Sequence, residues 1–193
     1  ARVPWREAGI CMKLLDAGAY GIICPMVNTR AQAEELVSFC RYAPVGQRSF
    51  GPTRALIYGG ADYGARANDE ILVIAMVETR QALENLEEIV TTPGLDGVYV
   101  GPADLSLSMG FTPMLDPKEP AVVAELERIV AAVKAVGRIA GIHCGSVEFA
   151  KRMIGHGYDF VSMLSDARLL SLKAAEIVEA MGSEAKGPQS STY

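Results

Sequence analysis

Short apolar runs separated by amphipathic stretches recur along the whole chain. Gly21–Pro25, Ile71–Val77, Gly97–Val100, Ile139–Ile142 and Phe160–Leu164 are continuous apolar runs rather than alternating ones, the pattern of strands covered on both faces. Arg2-Val3-Pro4 reads as a sixth, shorter strand. Between these runs, Cys11/Leu14/Leu15, Ala33/Leu36/Val37/Cys40 and Leu126/Ile129/Val130/Val133 fall at helical spacing, each predicting one apolar stripe on a helix. Leu83/Leu86/Val90, Phe149/Ala150/Met153/Ile154 and Leu170/Ala174/Ile177/Val178/Met181 predict three more.

Strand and helix therefore alternate throughout, which gives a parallel sheet, either closed as a barrel or open and doubly wound. An open dinucleotide-binding sheet would carry G-x-G-x-x-G after its first strand, and neither that pattern nor a P-loop is present. Six βα units fall two short of a (β/α)8 barrel, and two more units of about 30 residues would bring the chain to the usual barrel size of about 250. The expected fold is thus α/β, a (β/α)8 TIM barrel with about six of its eight units in this chain and the first two preceding Ala1. Residues 1–182 are expected to form that single domain. The last residues, 183–193, rich in Gly, Ser, Lys and Pro without apolar periodicity, are expected to be a disordered tail.

Composition narrows the function classes. With 193 residues, half of them hydrophobic, the chain can bury one large core. A net charge of −5 with scattered Lys and Arg gives no footprint for nucleic acid. No apolar run approaches the roughly 20 residues of a membrane span, and the start does not read as a signal peptide. Cys11, Cys24, Cys40 and Cys144 are widely spaced, without a C-x-x-C pair, and read as reduced, buried small hydrophobes of a cytoplasmic protein.

In a barrel, function collects at the C-terminal ends of the strands. The residues there are Arg2, Pro25-Met26, Glu78, Asp104, His143-Cys144 and Ser165-Asp166. Glu78 follows the run ending at Val77, and Asp104 follows Val98–Val100 by the Gly101-Pro102 stop, which a central strand cannot cross. Two acids at the ends of neighbouring strands suit Mg²⁺ or Mn²⁺, which take oxygen donors and keep water or substrate in the remaining positions. Equally, Glu78 pairs with a surface cation such as Arg80, and Asp104 is the N-cap of the next helix. The turn at 101–106 favours the first reading. Helix N–H groups beside an acid, with Arg2 as a fork for a carboxylate or keto oxygen, describe a site for a small oxo acid.

M-V-E-T-R (76–80), L-E-N-L-E-E-I (83–89) and P-G-L-D-G-V-Y-V-G-P-A-D-L-S-L-S-M-G (93–110) closely resemble the metal-dependent class II pyruvate aldolases of the HpcH/HpaI family, the 4-hydroxy-2-oxo-heptanedioate and 2-dehydro-3-deoxyglucarate aldolases. The similarity extends to R-V-P-W (2–5), L-L-D-A-G-A (14–19), P-M-V-N (25–28), R-Y-A-P-V-G-Q-R (41–48) and G-I-H-C-G-S (141–146), and so covers nearly the whole chain. The acid pair, 26 residues apart (104 − 78), is a specific match.

The resemblance implies a barrel of the phosphoenolpyruvate/pyruvate type and a divalent metal (Mg, Mn or Co) held by Glu78 and Asp104. It also implies pyruvyl-oxygen contact by Arg2, substrate carboxylate binding by the amides of Ala103 and Asp104, and support of the catalytic histidine by Asp16 near a subunit interface. It further implies a homo-oligomer, trimeric or hexameric, acting on a small oxo acid that yields pyruvate and an aldehyde. Two departures stand out: Met76 replaces a common Gln, and the family's general-base histidine falls upstream of residue 1. His143 and His156 both read as structural, with site-lining as the alternative for His143. The glycine-rich stretch Phe50–Gly60 reads as a long loop serving subunit contact and, secondarily, substrate selection. The expected reaction is reversible aldol cleavage of a 4-hydroxy-2-oxo acid. The alternatives are a CoA-ester lyase of the citrate/malyl-CoA lyase type, or an inactive fragment lacking the base.

Overall fold

A computed structural model describes residues 1–182; the tail expected at 183–193 lies outside them. In chain order the elements are α1 (Ala8–Asp16), β1 (Gly21–Cys24), α2 (Arg30–Cys40), α3 (Ala55–Gly59), α4 (Tyr63–Glu70), β2 (Leu72–Met76), α5 (Arg80–Glu84), α6 (Leu86–Val90), β3 (Gly97–Val100), α7 (Pro102–Ser108), α8 (Pro120–Ala135), β4 (Ile139–Cys144), α9 (Val147–Gly155), β5 (Phe160–Met163) and α10 (Asp166–Ala180).

The five strands pair in sequence order, all parallel. The expected sixth strand is reduced to one bridge, Arg2 to Ile23. There the Ile23 N–H donates to the Ala1 carbonyl at 2.8 Å and the Val3 N–H to the Ile23 carbonyl at 2.9 Å. Pro4 has no N–H with which to continue the ladder. The architecture seen is thus a parallel α/β sheet of five complete strands with an N-terminal bridge in place of the expected sixth.

Strand periodicity sorts the sheet into two faces. Ile22, Cys24, Val73, Ala75, Val98, Val100, Ala140, Ile142 and Cys144 join the helices in the main core. Ile23, Ile74, Met76 and Tyr99 form a separate small cluster on the other face. Tyr99 lies across β4 there because Gly141 has no side chain; a Cβ at 141 would stand 2.6 Å from the Tyr99 ring. All four cysteines are free and buried, as their spacing predicts.

Two expectations about helices change. The stretch expected as one helix through Leu83, Leu86 and Val90 is two short helices meeting at Asn85. Its side chain is drawn to the carbonyls of Asn28 and Gln81. The glycine-rich stretch Phe50–Gly60 expected as a loop contains α3, and α4 follows it before β2. No helix among the described residues is long and apolar enough to cross a membrane.

Candidate active site

Because every strand runs the same way, all the βα turns open at one end of the sheet. Four of the five begin their helix with a hydroxyl cap: Thr29 to the Gln32 N–H, Thr79 to Ala82, Ser146 to Phe149 and Ser165 to Arg168. Each such cap contributes about 1 kcal/mol. The fifth turn, β3 to α7, has Gly101 at the N-cap, Pro102 in the first turn and no side-chain cap. Asp104 is therefore not the N-cap residue, as one reading had it; it stands third in α7, in the first turn, where a carboxylate suits the helix dipole.

That uncapped turn faces Glu78. The register places Met76 opposite Tyr99, so Glu78 comes opposite Gly101. Glu78 is 1% exposed. Its Oε1 accepts the Met26 N–H at 2.9 Å, whereas its Oε2 is buried without a hydrogen-bond partner. A Cβ on residue 101 would lie 2.3 Å from that Oε2. Gly101 has φ −99°, a value open to any residue, so glycine is required there by space and not by backbone conformation. Met26, by contrast, has φ +57°. A non-glycine residue held in the left-handed region costs about 1–3 kcal/mol and is characteristic of functional turns.

Burial pushes the Glu78 carboxyl up to about 7; the Met26 N–H opposes this, the Asp104 charge adds to it, and the Arg2 charge opposes it. These influences put Arg2, Glu78 and Asp104 in one electrostatic neighbourhood. Through its bridge to Ile23, Arg2 shares the sheet face of Met76 and Tyr99. The surface pairing considered for Glu78 does not form: the Arg80 guanidinium donates to the Met109 carbonyl instead.

A buried carboxylate oxygen with no donor, beside a second carboxylate, calls for a cation. No group of three or more His, Cys, Asp or Glu side chains that could hold a metal occurs among the described residues. Two carboxylates with no imidazole or thiolate fit an oxygen-seeking divalent ion that takes its other ligands from water and substrate.

The other singled-out residues divide. Ala103 is buried in the first turn of α7, beside Asp104. His143 points its Nδ1 at the Ser162 hydroxyl, 2.8 Å away, and that hydroxyl also meets the Tyr99 phenol. Burial lowers the His143 pKa, opposed by the charge of Asp116. His156 is the C-cap of α9, consistent with a structural role. Asp16 is not at this mouth. It ends α1, which returns the chain to the start of β1, and binds Arg48 at 2.7 Å at the opposite end of the sheet. Arg48, fully buried at its side chain, also donates to the Tyr63 hydroxyl at 3.1 Å. Sequence reasoning missed Met26 as a donor and Gly101 as a spacer; the only signals were their positions at strand ends.

The HpcH/HpaI aldolase/citrate lyase family model matches residues 1–171. A hydroxypyruvate/pyruvate aldolase of Rhizorhabdus wittichii is 46% identical over 167 residues, covering 86% of this chain and 66% of that protein. A 4-hydroxy-2-oxo-heptane-1,7-dioate aldolase of Salmonella arizonae is 37% identical over 188 residues, covering 96% of this chain and 71% of that protein. The chain thus spans about two thirds of the length of these relatives. Among solved structures, an HpcH/HpaI aldolase/citrate lyase family protein from Burkholderia cenocepacia superposes with a TM-score of 0.84 at 31% identity, covering 94% of this chain and 72% of that one. With the parallel sheet, the acid pair at its C-terminal end and a match over nearly all the described residues, the chain belongs to the HpcH/HpaI aldolase/citrate lyase family.

Proposed function

We propose that the protein is a cytoplasmic class II aldolase, dependent on a divalent metal, that reversibly cleaves a 4-hydroxy-2-oxo acid to pyruvate and an aldehyde. The observation that carries this reading is the Glu78 Oε2, buried and without a donor, beside the charge of Asp104. Glu78 and Asp104 would hold Mg, Mn or Co, which when bound supplies a Lewis acid for the negative charge that builds on the 2-oxo oxygen.

The remaining work falls to this chain's own groups. The Arg2 guanidinium donates to the pyruvyl oxygen, and its charge is in place before the C3–C4 bond breaks. The substrate carboxylate lies against the Ala103 and Asp104 amides, at the one βα turn among the described residues whose N-cap residue offers no side-chain cap. The 4-hydroxyl proton goes to a general base, the role that the family resemblance gives to a histidine. Residues 1–182 form the aldolase domain and belong to a closed (β/α)8 barrel of the phosphoenolpyruvate/pyruvate type. Asp16, at the far end of the sheet, serves a neighbouring subunit of a trimeric or hexameric assembly.

The test is pyruvate release from 4-hydroxy-2-oxo acids before and after chelation. The proposal expects activity to vanish on chelation and to return with Mg²⁺, Mn²⁺ or Co²⁺; undiminished release in excess chelator overturns it.

A further inference from the structure

The two residues that follow Glu78 reach in opposite directions. The Thr79 hydroxyl donates to the Asn28 Oδ1, and the Asn28 carbonyl accepts from the Asn85 amide at 2.9 Å. Asn28 lies two residues after Met26, whose N–H holds the Glu78 Oε1; between them the Val27 N–H donates to the Met76 carbonyl at 3.3 Å. On the other side, the Arg80 N–H donates to the Ser108 Oγ at 2.9 Å and the Arg80 guanidinium to the Met109 carbonyl. Ser108 ends α7, the helix that carries Asp104.

We propose that Asn28, Arg80 and Ser108 are positioning residues: with Thr79 they form a two-armed clamp that fixes the Met26 loop and the Asp104 helix to the end of β2, and so set the spacing of the two carboxylates. The proposal rests on the reading of Glu78 and Asp104 as metal ligands. The physical reason for such a clamp is local. Glu78 is aimed by one backbone N–H from a residue in a strained conformation, and α7 is a seven-residue helix whose N-cap residue, Gly101, has no side chain with which to cap it. Both carriers need ties from outside themselves, and both ties end on the dipeptide after Glu78. Groups that orient metal ligands without touching the metal typically govern affinity by roughly 10–100-fold.

Mn²⁺ binding to the full-length protein, followed by the electron paramagnetic resonance signal of free Mn²⁺, tests this. Asn28→Ala, Ser108→Ala and Arg80→Met remove one tie each; Thr79 is left alone because its hydroxyl also caps α5. Each variant is expected to bind Mn²⁺ roughly tenfold more weakly with an unchanged circular dichroism spectrum. Arg80→Lys, which keeps a donor for the Met109 carbonyl, should recover part of the loss. Should Arg80→Met fail to fold, the Asn28 and Ser108 variants decide. Glu78→Gln separates the two ideas. If it abolishes binding while the three variants bind as the wild type does, the clamp is overturned and the ligand reading stands. If Glu78→Gln binds Mn²⁺ normally, the ligand reading falls and the clamp falls with it.

Discussion

At the scale of single residues, the candidate site turns on one oxygen and the space left for it. The Glu78 Oε2 sits where a side chain at residue 101 would be, so Gly101→Ala must displace the carboxylate, the new methyl or both. Such overpacking costs about 1–3 kcal/mol. The expected result is a modest fall in thermal stability together with a large loss of divalent-metal affinity, measured by calorimetric titration. A variant that binds metal as tightly as the wild type would show that Gly101 is not spacing the ligand. The position of Glu78 and Asp104 after apolar runs was legible in the sequence, because a strand end is a local feature. The roles of Gly101 and Met26 were not. The first depends on the register of β2 against β3, the second on a positive φ at a residue that rarely adopts one, and neither leaves a mark in composition or periodicity.

Elements are joined by a device that the sequence repeats. L-D-G-V-Y-V (95–100) and Y-D-F-V-S-M (158–163) each place an aspartate just before a strand. The Asp96 Oδ2 accepts the Val73 N–H of β2 at 2.6 Å and binds Arg41 at 2.7 Å. The Asp159 carboxylate accepts the Ala140 N–H of β4 at 2.9 Å and binds Lys134 at 2.6 Å. Each latch ties the start of one strand to its predecessor. The Ala140 N–H, then Lys134, hold the Asp159 carboxyl below its usual value. Its stabilising contribution is therefore present above the unfolded pKa of about 3.9 and is lost as pH falls through the lower folded value. Asp159→Ala should cost about 1 kcal/mol at pH 7. The gap in melting temperature from the wild type should close as acid protonates the wild-type group; a gap that stays constant down to pH 2 would refute the latch. Of the elements themselves, the five strands and the longer helices were legible from apolar runs and helical spacing. α3 and α4 were not: α4 buries only Tyr63 and Ala67, too few positions to show a period, and α3 spans five residues.

For the whole molecule, what the described residues leave exposed matters as much as what they bury. α10 buries no residue; Leu169, Leu170 and Ile177 are exposed, Leu170 by 74%. Phe50, which packs on Tyr42, and Ile57 are 70% and 76% exposed. Apolar surface of this extent is what association covers. The proposed homo-oligomer predicts a trimeric or hexameric mass in sedimentation velocity for the full-length protein; a monomer at micromolar concentration would contradict it and leave Asp16 without a subunit to serve. The alternation of strand and helix made the parallel α/β class legible, whereas closure and assembly depend on surfaces between units that a single chain's periodicity does not encode.

Glu78 and Asp104 are proposed to hold together a divalent metal that would supply the Lewis acid for charge on the pyruvyl oxygen. Exchange of the pyruvate methyl protons in D₂O, followed by proton NMR with Mg²⁺ or Mn²⁺ present, reports enolate formation without any choice of aldehyde. Exchange by the wild type is expected to require the metal and to fall by more than about 100-fold in both Glu78→Gln and Asp104→Asn, since even residues behind the ligands are worth about 10–100-fold. Wild-type exchange in either variant would contradict it.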